Sequence, residues 1–134
     1  MLGAVHAGVG AAAGALCNSR TGAFAAGLVS HLVIDAIPHS NLKPEVEVAL
    51  TAGVMAAVAK WKGMDSPEFW GAVGGTAPDL EHGLVMAGLA RSEQQIFPTH
   101  RNNGAWHGRE DAGVCGQVLL AAASLLFVAL KGRS

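Results

Sequence analysis

Charge is nearly missing from three long stretches of this 134-residue chain, and that constrains its fold more than any other feature. Residues 1–17 and 112–130 contain no Asp, Glu, Lys or Arg, and residues 22–37 contain one, Asp35. Apolar side chains make up 51% of the chain, 18 glycines add to them, and charged residues at 14% fall well below the usual ~25%. Such a chain is either embedded in a membrane or unusually buried. Its length suits one domain, residues 1–134, and its net charge of −1, with no basic stripe carrying aromatics, gives no footing for nucleic acid.

The pattern predicts helices and no strand. Residues 2–17 read as a first helix and 22–37 as a second, joined by the turn Asn18-Ser19-Arg20-Thr21-Gly22 and stopped by Pro38. The two form an antiparallel hairpin. A third helix starts at Pro44, with Glu45 and Glu47 in its positive first turn and Lys60 and Lys62 in its last turn before Gly63. A fourth begins at Ser66-Pro67-Glu68, is expected to break at Pro78, and restarts with Asp79 near a helix N-terminus, running to about residue 89. Residues 91–111 read as loop, and 112–130 as the last helix. The fold class is all-α, a compact bundle of about five helices.

The last helix carries the membrane expectation. Its 19 uncharged residues would span about 28 Å, close to the ~30 Å of bilayer hydrocarbon. Lys131 and Arg133 follow directly, which puts the C-terminus on the cytoplasmic side, with membrane lipid as a partner. Gly10-Ala-Ala-Ala-Gly14 and Gly71-Ala-Val-Gly-Gly75 are small-residue faces suited to close helix packing, in membranes and in soluble bundles alike. No Lys or Arg precedes the first apolar run, so it reads as a retained helix rather than a cleaved signal peptide. Cys17 and Cys115 sit in apolar runs without CxxC spacing and read as core thiols, and Trp61, Trp70 and Trp106 as core or interfacial anchors.

Against this apolar background the six histidines fall in polar islands: His6; His31-Leu-Val-Ile-Asp35 with Pro38-His39; Pro78-Asp79-Leu80-Glu81-His82; and His100-Arg101 with His107. Imidazole and carboxylate together are the ligand set of zinc and other borderline divalent ions. Haem is disfavoured, since it takes one or two histidines and no carboxylates. His31 and Asp35 are four apart and Asp79 and His82 three apart, so each pair shares a helix face. In the first hairpin His6 falls level with about residue 33, which brings it to His31 and Asp35. Zinc, with manganese as a substitute, is therefore expected at the shared end of the first two helices.

Each island also has an ordinary reading. His6 alone can be a helix residue, and Asp79 a charge favoured by a helix dipole. Asp35 is harder to dismiss, because a carboxylate inside an apolar helix must be paired, metal-bound or at a wet surface. Arg101 suits either a structural counter-ion or a phosphate clamp.

Taken together, the islands resemble those of the inner-membrane-associated metal-dependent hydrolases and, more remotely, the all-helical zinc-dependent phospholipase C group. The resemblance covers residues 3–110. It implies an α-helical fold and a phosphoester substrate, with His6, His31, Asp35, His39, Asp79, His82, His100 and His107 as metal ligands. Asp79 or Glu81 would orient the attacking water and Arg101 would hold the phosphate. Glu81 replaces the family's second Asp, the step from His100 to His107 is seven, and His-x-x-x-Asp precedes Pro-Asp. Metal binding tolerates these departures better than catalysis. The alternative is a membrane metal-binding or interaction protein whose ions staple helix ends together without turnover.

Overall fold

The computed structural model describes residues 1–97, 108 and 113–132. Five α-helices, α1 Gly3–Gly14, α2 Arg20–Asp35, α3 Pro44–Lys62, α4 Pro67–Met86 and α5 Val114–Leu130, and a 3-10 turn at Ser92–Gln94 make an all-helical bundle, with no strand among the described residues. α1 is the central element and packs against all four others. Its sequence, chiefly Gly and Ala, lets neighbouring backbones come close on every side. A Cβ on Gly10 would collide with the carbonyl of Gly71, and one on Gly27 would strike that same carbonyl from α2. The small-residue faces of α1 and α4 thus pack on each other. The core is Ala7, Ala11, Val58, Ala72 and Val128, with a second cluster of Met1, Leu2, Val5 and Ile34 toward the other end.

Local signals set most helix ends. Ser19 and Ser66 cap α2 and α4 by accepting from the amides of Gly22 and Phe69, both at 3.1 Å. α3 has the expected limits, with Pro44 opening it and Gly63 closing it at φ 93°, a backbone region glycine enters without strain. The start of α1 has no cap of its own. Instead Gln117 of α5 accepts from the Leu2 amide at 3.0 Å and donates to the Ser40 carbonyl at 2.9 Å, tying three segments together.

Two expectations are corrected. α4 does not break at Pro78 but runs through it, so Asp79 lies within a helix rather than at an N-terminus. Proline costs one amide and crowds the preceding turn, and packing of this segment against both α1 and α2 compensates. Thr76 also ties its hydroxyl back to the carbonyls of Ala72 and Val73, at 3.0 and 3.2 Å. Second, α5 is 17 residues rather than 19, and no described helix is long and apolar enough to cross a membrane. Both cysteines are free, as expected, but they are not core residues: Cys17 is half-buried and Cys115 is exposed.

Candidate metal centre

The functional residues meet where α1, α2 and α4 pack together. His6 comes from the first turn of α1, His31 and Asp35 from the last turn of α2, and Asp79 from the second half of α4. The hairpin register anticipated from sequence is realised, since the imidazoles of His6 and His31 stack with centroids 3.8 Å apart and planes at 20°. Both rings and Asp35 are fully buried, whereas the Asp79 side chain is 29% exposed.

The hydrogen bonds assign the tautomer of His31. Its Nδ1 lies 2.8 Å from the carbonyl of Gly75, which can only accept, so Nδ1 carries the proton. The lone pair of a neutral ring is then on Nε2, which faces Asp35 Oδ2 at 3.6 Å and Asp79 Oδ1 at 4.0 Å. A backbone carbonyl that fixes one ring nitrogen and aims the other is the usual outer support of a metal-ligating histidine. Gly75 is in the turn that precedes Pro78, and its missing side chain also admits α1, because a Cβ there would collide with the His6 carbonyl.

His6 presents Nε2 to the same centre, 3.2 Å from Asp35 Oδ1 and 4.0 Å from Asp79 Oδ2. Its Nδ1 is buried with no hydrogen-bond partner among the described residues. Asp35 also takes the Met1 ammonium group at 3.0 Å. Its carboxylate therefore lies between a cation and two imidazoles, which offsets the desolvation that its place in an apolar helix demands.

Electrostatics separates the two rings. Burial pulls the pKa of His6 below its ordinary value, against the opposing hydrogen bond to Asp35 and charge of Asp79. Burial works the same way on His31, but Asp35, Asp79 and the Gly75 carbonyl together outweigh it and raise that pKa. The pocket between the stacked rings and the two carboxylates thus favours one added positive charge.

His6, His31 and Asp79 each offer a ligand atom, all within 4.8 Å of one another, and a metal ion fits that donor set. Two residues expected as ligands, His39 and His82, are not part of this three-residue group among the described residues. His39 is buried past the end of α2, with Nδ1 held by the Ile37 carbonyl at 2.7 Å, because the chain leaves the helix before reaching it. His82 is on α4, its Nδ1 3.5 Å from the Gln95 side chain. Glu81, considered above for orienting water, accepts from the amides of Ile96 and Phe97 at 2.7 and 3.1 Å and so anchors the segment after the 3-10 turn. His100, Arg101 and His107 lie outside the described residues. Gly108 donates its amide to the Asp35 carbonyl at 2.7 Å, closing the C-terminus of α2 directly beneath the site.

Sequence reasoning missed the parts that depend on contacts between helices. Gln117 and Gly75 have no metal-ligand character, and only the lone polar residue in an apolar run or the glycine spacing of α4 signalled them. No protein-family model, curated protein or solved structure matches the chain.

Proposed function

We propose that the protein binds a divalent metal ion, zinc in the first instance and manganese as a substitute, through His6, His31 and Asp79, and acts as a metal-dependent phosphoester hydrolase. The observation that carries the metal reading is the three-residue donor set within 4.8 Å, built from three separate helices. Its chemistry fits a borderline ion, with two nitrogen ligands and one carboxylate oxygen.

Hydrolysis is supported by the shape of the site. Among the described residues the donor set has three ligands and one part-exposed side, which fits a catalytic zinc site with a water in its fourth position, whereas structural sites are closed by four. A bound divalent ion would supply a water of lowered pKa and charge to neutralise phosphoryl oxygens. The Gly75 carbonyl fixes the tautomer of His31, and Asp35 orients His6 through its Nε2 or, when that nitrogen binds metal, stands ready to hold a proton released there. Asp79 faces the Nε2 atoms of both rings from a part-exposed side chain and serves as both ligand and gate.

Elemental analysis of protein purified without added metal, followed by titration with zinc and assay on an activated phosphodiester, tests both parts. One ion per chain in the wild type, lost in His31→Ala and Asp79→Ala, with metal-dependent turnover, is the expected result. Binding without turnover leaves the site a structural staple; absence of binding removes the reading altogether.

A further inference from the structure

The end of the bundle away from the histidines has a different character. α3 finishes there with Lys60, Trp61 and Lys62, α5 with Leu130 and Lys131, and the Lys62 ammonium donates to the Lys131 carbonyl. A hollow of about 390 Å³ lined by Lys60, Trp61, Lys62, Ala129, Lys131 and Gly132 separates the two helix ends. Asp65 and Glu68 line an adjoining hollow with Lys60 and Lys62, so at this end Arg20 and the three lysines outnumber two acids. Asp65 is paired with Arg20 at 2.7 Å, and Glu68 is buried at 2% exposure.

α5 rises from this rim inside out. Its buried residues are Gln117, Ser124 and Val128, one face of the helix, while Val118, Leu119, Leu126, Phe127 and Leu130 are exposed. A helix packed for water would show the reverse. Polar residues facing inward and apolar residues outward, ending in a belt of lysines and a tryptophan, match the order of an anionic bilayer surface, acyl chains first and phosphates next. A second copy docked with the two α5 helices parallel would set lysines against lysines.

We infer that the outward face of α5 and the rim of Lys60, Trp61, Lys62 and Lys131 seat the protein on an anionic phospholipid surface. The apolar side chains enter the acyl boundary and the lysines meet headgroup phosphates. This surface is independent of the metal, since none of its residues touches the histidine and aspartate site.

Sedimentation with phosphatidylcholine vesicles, plain or with about 30% phosphatidylglycerol, tests it. The wild type is expected to partition onto the anionic vesicles and to be released by salt. The triple variant Lys60→Gln, Lys62→Gln, Lys131→Gln should bind about 10²-fold more weakly, since each lysine at a membrane surface contributes about a factor of 5. The double variant Leu119→Ser, Phe127→Ser, at exposed positions, should also lose vesicle binding while keeping its helical content and metal. Equal partition onto both vesicles, an unchanged triple variant, or a stable dimer that ignores vesicles would overturn the inference.

Discussion

Replacing Gly75 by alanine tests whether helix contact builds the metal centre. In an isolated helix the change is favourable by ~1 kcal/mol, because glycine is the weaker helix former. In this bundle the added Cβ would collide with the His6 carbonyl and lie 3.2 Å from Gly10 Cα. Both are backbone atoms of the central helix and neither can rotate away, so α4 must back off from α1 by about an ångström to reach ordinary contact. Overpacking of this kind costs ~1–3 kcal/mol, which outweighs the propensity gain and takes a sizeable part of a typical 5–15 kcal/mol stability. The same displacement separates Asp79 from His6 and disturbs the His31 bond to Gly75, where metal ligands tolerate only ~0.2 Å. Gly53→Ala is the control, since nothing lies within 4 Å of its Cβ position in mid-α3. Urea unfolding should show Gly75→Ala destabilised and Gly53→Ala stabilised by ~0.5–1 kcal/mol, and zinc titration should weaken at least tenfold in the first alone. If both variants shift stability upward, the close approach of α1 and α4 is not what holds the site.

Asp35→Asn leaves the Met1 ammonium and two imidazoles without their shared carboxylate in a fully buried site, so chemical unfolding should report a loss of ~3–5 kcal/mol. Asp79→Asn, at a part-exposed ligand, should leave stability nearly unchanged while zinc affinity and any turnover fall together; activity lost with full metal content would reassign Asp79 from ligand to water-orienting base. His31 has a raised pKa, so its protonated form supports the metal-free fold below its ordinary 6.5 and that support is lost as pH rises through the raised value. Zinc competes with the same proton, and isothermal titration should therefore show affinity rising roughly tenfold per pH unit up to that pKa and levelling off above it. Glu81→Ala should speed amide exchange at Ile96 and Phe97 without altering zinc affinity, since among the described residues its carboxylate binds those two amides.

Helix class, helix number and the ends of α3 were legible in the sequence because they rest on local chemistry: prolines, caps, terminal charges and uncharged runs each act within a turn or two. The meeting of His6 with His31 and Asp35 was legible for a related reason, since a short turn forces register on a hairpin and three residues can be aligned by counting. Beyond that first contact, counting stops working. Pro78 forecast a break that packing from two neighbouring helices overrode, and the face Asp79 turns to α1 depends on how α4 seats on glycines 71 and 75. His82, three residues on, has the Gln95 side chain 3.5 Å from its Nδ1. The uncharged run of α5 read as a spanning helix from hydropathy alone, yet its Gln117 and Ser124 face inward and it stops at 17 residues. Composition reports how much apolar surface a helix carries, and only its neighbours decide which side of the helix that surface faces.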